Sequence, residues 1–494
     1  MNKVRALRNF VSSNILFCLL LVLFLLVSFL ISVARYNTYL DGFDYSVFTQ
    51  TIWHYSRFKL PNSTIRDVNL ILGDHFHPLL IILTPLFWLW NNPAVLLGIQ
   101  PLFFALSAIP IYLLAKSTLG RKSALIISVA YLISHGLQYA LYYDFHEIAL
   151  AVPLISLLIY SIDTKKYRVV IVSALLLCLV KEELILMVAM SGLVLIFKNK
   201  KYKLGLSIFL LPLIFLAFLS KILMPALAGK DNYYAYWTYE KYGEDVADVI
   251  KNTLRNPFRF LSTAYRDIFT NSTKVETLVV LILSSGITVF GSWYGLLVLP
   301  DIALRMLSSR GTFYWSYWFH YGAILMPVIF FCLIDVLRKI KHKLPKKYVN
   351  TVPLVLCSFV LAYNIGLMIN KNLPFAQIFN SELYSLNKDV RSGEGKVKEI
   401  VGNNSSVTAP VVITSHFSNR ESIYILTDKG RWYTDENVLR TQEPDTDYVI
   451  INEKLSITDV DPYYTYEKLE GDITSIGYDR VYYDNHSGWI VFKR

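Results

Sequence analysis

The sequence predicts a polytopic α-helical membrane protein that ends in a small soluble domain. Three observations carry this. Mean hydropathy is +0.41 with 54% hydrophobic residues over 494 positions. Several uncharged apolar runs approach or exceed the roughly 18 residues that cross a bilayer. From about Lys371 the composition turns soluble, and residues 371–494 carry 14 Lys/Arg against 19 Asp/Glu, a net of −5, while the whole chain carries +11. The positive excess lies in short loops between apolar runs, as cytoplasmic connections require, and calls for no nucleic-acid partner.

The first apolar run, 15–34, follows Lys3, Arg5 and Arg8. It is longer than a signal-peptide core and no small-residue cleavage site follows, so it reads as a retained anchor. Four further basic clusters, at Lys116 to Lys122, Lys165 to Arg168, Lys198 to Lys203 and Arg338 to Lys347, fall on the same side as the first under one arrangement. Its spans are 15–34, 94–115, 123–139, 148–162, 168–180, 184–197, 204–226, 275–291, 293–307, 321–337 and 350–369. That predicts about eleven crossings, N-terminus in and C-terminus out, in a multi-pass protein of the cell membrane. The domains are then 1–370, with outer loops 35–93 and 227–274, and 371–494, an extracytoplasmic α/β or α+β unit. Leu79–Trp90 is expected as a short outer helix because Asn91-Asn92-Pro93 breaks it. The four cysteines all sit in apolar runs without metal-ligand spacing and read as packing residues.

The arrangement places the acidic clusters on the outer face. These are Asp41 and Asp44 with Asp74, His75 and His77, then Asp144 and Glu147, then Lys181, Glu182 and Glu183. Ionisable groups beside hydrocarbon are costly to place and therefore mark a site. A carboxylate here suits a general base taking a proton from a hydroxyl, and Asp44 and Asp41 with Asp144 and Glu147 are the candidates. The plainer account makes Asp44 an N-cap of the helix that follows. That helix, from Phe43 to Tyr55, is expected to be amphipathic and to lie along the membrane surface. His75 and His77, two apart beside Asp74, could hold a divalent metal such as Mg or Mn. Tyr233, Tyr234, Tyr236, Trp237 and Tyr239, and the Phe313 to Tyr321 segment, read first as membrane-interface anchors. An amphipathic helix is expected around Asp245–Phe260.

Phe43-Asp44 with Gln50 and Trp53, Gly73-Asp74-His75-Phe76 with Pro78, Asp144-Phe145-His146-Glu147 and Val180-Lys181-Glu182-Glu183 together resemble the membrane family DUF2079, of the GT-C glycosyltransferase superfamily. Leu304 to Ser308, His320 to Pro327 and the Ser415 to Tyr424 stretch with His416, Ser418 and Arg420 extend the resemblance over nearly the whole chain. It implies a GT-C-like fold, a catalytic Asp in the first outer loop matched by Asp44, a second acidic motif matched by Asp144 and Glu147, and a polyprenyl-phosphate-linked sugar donor. Asp41 and Asp44 stand three apart rather than adjacent, which departs from enzymes with paired acids. A donor phosphate needs cations, for which Lys181, Arg305 and Arg310 are candidates, with Glu182 and His320 as further substrate-binding groups. The acceptor has no signature in the sequence. The rival readings are a transporter or flippase for a lipid-linked or polar substrate, and a non-catalytic membrane-anchored surface protein. No second copy of the acidic motifs speaks for the inverted repeats of a transporter.

Overall fold

The computed structural model describes residues 2–40, 42–66, 68–229, 237–426, 432–435, 438–439, 446–455 and 466–494. Among the described residues five helices are long and apolar enough to cross a membrane: Ile15–Tyr36, Pro93–Leu119, Arg121–Tyr142, Tyr202–Ala228 and Thr351–Asn370. Ile15–Tyr36 shows why. Phe17, Phe24, Ser28 and Ile31 face protein, while Leu19, Leu23 and Leu26 are exposed on a helix whose only solvent for them is lipid. Shorter apolar helices follow at Pro78–Leu89, Ile148–Asp163, Tyr167–Leu177 and Leu184–Phe197.

Several expected spans do not run as continuous α-helices: 94–115 and 321–337 begin as 3-10 turns and 123–139 is interrupted after Leu132. Residues 275–291 break after Leu283, where Gly286 and Ile287 adopt positive φ of 67° and 61°. Residues 293–307 begin as a 3-10 turn and become α-helical only at Leu299. The Leu325–Lys343 helix, by contrast, is almost wholly buried along its first half and forms the centre of the bundle.

Phe43–Ser56 is not the surface helix expected from its pattern. Eleven of its fourteen residues are buried, on all sides, because it is wedged between the membrane helices and the C-terminal domain. Toward the bundle, the Tyr45 hydroxyl donates to the Pro93 carbonyl at 2.7 Å. Toward the C-terminal domain, the Gln50 amide donates to the Glu421 carbonyl at 3.0 Å while its oxygen accepts from Thr64 N at 2.9 Å. Gly42 starts this helix where a Cβ would lie 2.8 Å from the Val411 carbonyl oxygen, so glycine permits the approach.

The C-terminal residues form a seven-stranded mixed sheet: β1 Val407–Ala409, β2 Ile423–Leu426, β3 Trp432–Asp435, β4 Val438–Leu439, β5 Tyr448–Asn452, β6 Asp479–Asp484 and β7 Trp489–Lys493. Their order is β4-β3-β2-β1-β5-β7-β6, with β1 parallel to β2 and β5 and the other pairs antiparallel. Strand β1 stops at Ala409, since Pro410 opens a helix, Val411–Phe417. One face of the sheet packs on Val390, Val397, Val412 and Phe417, a core completed by Tyr39, Val47, Ile65 and Ile71 from the first loop. The other face packs on Leu469 and Ile473.

Around Asp245 the chain forms two amphipathic helices rather than one, Val246–Arg255 and Pro257–Phe269, divided at Asn256-Pro257.

Candidate active site

The first-loop helix, the 144–147 loop and the 178–183 turn converge on a cavity of about 350 Å³. Asp44 lies in the first turn of its helix but does not cap it, because the N-cap is Gly42 and has no side-chain bond to offer. The carboxylate is instead turned into the cavity, 28% exposed, where its Oδ2 accepts from the Tyr143 hydroxyl at 3.0 Å. His146 Nε2 stands 4.0 Å from the same oxygen. Its Nδ1 is in close contact with Glu147 Oε2, and Lys181 Nζ lies 3.0 Å from Glu147 Oε1. A carboxylate, imidazole, carboxylate and ammonium are thus linked in a chain whose two ends, Asp44 and Lys181, both line the cavity. Burial would push the Glu147 carboxyl up, but His146 and Lys181 hold it well below the usual range, so it stays ionised. For Lys181, burial is likewise outweighed by Glu147, and its ammonium is retained.

Local backbone explains how the loop reaches in. Asp144 adopts φ of 96°, a strained value for a non-glycine residue. One amide holds it there. Gln100 donates to the carbonyls of Ala140 at 2.6 Å and Asp144 at 2.8 Å, and accepts from His146 N at 3.1 Å. Asp144 therefore shapes the turn and is not part of the cavity wall.

The three residues expected to hold a metal, Asp74, His75 and His77, all line this cavity, each with a contact of its own. Asp74 pairs with Arg66 at 2.9 Å, and His75 Nδ1 with Glu182 Oε1 at 2.7 Å. His77 lies edge-on to the Phe48 ring at 5.7 Å. Among the described residues no group of three His, Cys, Asp or Glu is placed to hold a metal ion. Burial lowers His77 to about 4, leaving it neutral, while the Glu182 carboxylate overrides burial to raise His75.

Of the expected substrate-binding residues, Lys181 and Arg310 line the cavity. Glu182 does not; its oxygens are taken by His75 and by Phe76 N at 2.9 Å. Arg305 is spent on architecture, pairing with Asp301 at 3.3 Å and donating to the Tyr314 and Ser316 carbonyls at 2.9 and 2.8 Å. His320 is buried behind the wall, stacked on His146 at 4.0 Å, and neither ring nitrogen has a hydrogen-bond partner among the described residues. Burial holds it neutral. Asp41 lies outside the described residues, as do Tyr233, Tyr234 and Tyr236.

Sequence reasoning missed Tyr143 and Arg66, both in the cavity wall. It also read Phe313 to Tyr321 as interface anchors, whereas Phe313, Tyr314, Phe319 and Tyr321 line the cavity. The adjacency of Tyr143 to the acidic motif was the available signal. In the C-terminal stretch, His416 is sandwiched between the Tyr36 and Tyr39 rings at 3.9 and 4.1 Å and pairs with Glu394 at 3.0 Å. Arg420 donates to the Phe417 and Ser405 carbonyls at 2.6 and 2.8 Å. Both stitch the domain together away from the cavity.

The family described as Predicted membrane protein (DUF2079) matches residues 34–475. The chain belongs to that family. None of the curated proteins matches this DUF2079 chain. Among solved structures, it is similar to ArnT from Cupriavidus metallidurans bound to undecaprenyl phosphate, at 9% identity and a TM-score of 0.55, covering 98% of each chain. The apo state of the same protein gives 9% identity and a TM-score of 0.52, over 95% of this chain and 97% of that one. At such identity the likeness speaks for the fold alone, so this DUF2079 member shares the fold of that ArnT structure.

Proposed function

We propose that the protein is an integral-membrane glycosyltransferase that moves a sugar from a polyprenyl-phosphate-linked donor to an acceptor hydroxyl, with Asp44 as general base. The observation that carries this reading is the Asp44 carboxylate, steadied by Tyr143 and facing a cavity whose wall also holds Arg66, Lys181 and Arg310. A proton acceptor set among fixed cations matches what such a transfer needs. The acceptor oxygen bonds to the anomeric carbon as its proton passes to Asp44; the carbon–oxygen bond to the phosphate breaks; the departing polyprenyl phosphate carries negative charge that the cations stabilise. Phe313, Tyr314, Phe319 and Tyr321 offer flat apolar faces for a sugar ring. The undecaprenyl phosphate held by the similar ArnT structure supports a polyprenyl carrier here.

In this reading the chain crosses the membrane about eleven times, N-terminus in and C-terminus out. Residues 1–370 form the transferase core, 371–494 an extracytoplasmic domain, and the reaction occurs on the outer face. His146 and Glu147 orient and polarise the base, and Asp144 sets their turn. The test is reconstitution of the purified chain with polyprenyl-phosphate-linked sugars, following release of polyprenyl phosphate. Donor crossing the bilayer without release of polyprenyl phosphate would replace the transferase with a flippase.

A further inference from the structure

The Val246–Arg255 and Pro257–Phe269 helices have no buried residue between them, although both carry long apolar side chains. Ile250 and Leu254 on the first helix, and Phe258, Leu261 and Tyr265 on the second, recur at helical spacing within each helix and are all exposed, Leu254 at 79% and Phe258 at 83%. Beside this stripe, at the junction of the two helices, is a second cavity of about 280 Å³. Lys241, Arg255, Arg259, Asn252 and Asn256 contribute its polar wall, and no carboxylate lines it. Lys241 is paired with Asp267 at 2.7 Å, whereas neither arginine has an ion pair among the described residues. Arg255 follows Leu254 and Arg259 follows Phe258, so the two guanidinium groups flank the most exposed part of the stripe.

We infer that this helix pair lies in the membrane interface on the same side as the candidate active site and holds the anionic head group of a phospholipid in the Lys241, Arg255 and Arg259 cavity. Continuity supports the lipid as occupant. The chain enters the pair from the membrane helix ending at Ala228 and leaves it directly into Ser272–Leu283, whose Lys274 donates to the Met306 carbonyl at 2.6 Å. Charge complementarity selects the lipid class, since two unpaired arginines beside an apolar stripe suit a phosphate whose acyl chains continue along Leu254 and Phe258. The inference stands whether or not the protein transfers sugar.

The test uses the full chain in nanodiscs of phosphatidylcholine alone or mixed equally with phosphatidylglycerol. Spin labels at Leu254→Cys and Phe258→Cys are expected to meet oxygen more readily than a water-soluble nickel chelate, and one at Lys251→Cys the reverse. Of the chain's own cysteines Cys178, Cys332 and Cys357 are buried and Cys18 is half-buried, so Cys18→Ser is the background for labelling. Native mass spectrometry is expected to show phosphatidylglycerol retained in preference to phosphatidylcholine, with the preference reduced several-fold in Arg255→Glu/Arg259→Glu and kept in Lys251→Glu. Nickel reaching positions 254 and 258 as freely as 251 overturns the docking. Equal retention by the double variant, or displacement of phosphatidylglycerol by inorganic phosphate, overturns the head-group site.

Discussion

The Ile148–Asp163 helix carries a buried ion cluster at each end, about 24 Å apart at 1.5 Å per residue. At its C-terminal end Asp163 accepts two bonds from Arg338, both 2.8 Å, and one from Tyr294 at 2.8 Å. Asp335 beside it accepts from Lys198 at 2.7 Å, Arg338 at 2.6 Å and Ser292 at 2.8 Å. Every carboxylate oxygen there is answered. At the N-terminal end the same residue types are arranged differently: Asp44 faces a cavity, and the ring nitrogens of His320 and Nδ1 of His77 lack hydrogen-bond partners among the described residues. Buried charge alone therefore does not mark a site. Open volume and unanswered polar groups separate a working cluster from a staple.

The strongest way to break this contrast is Asp44→Asn, which is expected to lower turnover by about 10³-fold, within the usual reach of general-base catalysis, while leaving the melting temperature of the purified protein in place. Wild-type turnover would remove Asp44 from the mechanism. Asp335→Ala is the mirror experiment. It leaves cations buried without their partner and should cost on the order of 3 kcal/mol of stability in thermal or denaturant unfolding, with turnover per folded molecule unchanged. A tenfold turnover loss there would erase the distinction between the two ends.

Glu147→Gln frees His146 and Lys181 from their shared partner and is expected to lower turnover by roughly 10- to 100-fold through misplacement of the base. Unchanged kinetics would reduce Glu147 to packing. A smaller effect concerns pH. Burial lowers His75, but Glu182 more than offsets this and the folded value is raised, so its stabilising contribution is complete below the unfolded value of about 6.5 and is lost as pH rises through the higher folded value. Glu182, whose own burial is overridden by His75, contributes above about 4.3 and fades as pH falls. Melting temperature against pH should flatten on its alkaline side in His75→Gln; an identical profile would uncouple the pair from stability. The least effect is expected from EDTA, less than about twofold in turnover, because Asp74 and His75 are committed to Arg66 and Glu182. A larger loss reversed by Mg or Mn would reinstate a metal.

The legible parts of this molecule were those where chemistry conflicts with surroundings. Asp44, Glu147 and Lys181 stood out because carboxylates and ammonium groups do not belong beside apolar runs. Arg305 stood out equally and serves carbonyls, Asp301 and the Tyr321 ring, since sequence carries no sign of which way a side chain turns. Tyr143 and Phe319 were hidden by the opposite effect, because an aromatic near a membrane surface already has an ordinary explanation. Phe43–Ser56 has apolar residues at helical spacing and polar ones between, which reads as one wet face. Ser46, Gln50 and His54 instead bond to Thr414, the Glu421 carbonyl and the Asn62 carbonyl, so the polar face is buried against other protein.

That helix also sets an order of assembly. It is synthesised within the first sixty residues, yet its buried polar face is completed only by Thr414, Arg420 and Glu421, some 370 positions later. Until the C-terminal sheet has reached its final side of the membrane and closed over the helix, Asp44 has no settled platform. Ribosome-bound and truncated chains would therefore insert without that platform, and the Asp44 carboxylate comes into register only as the C-terminal sheet folds.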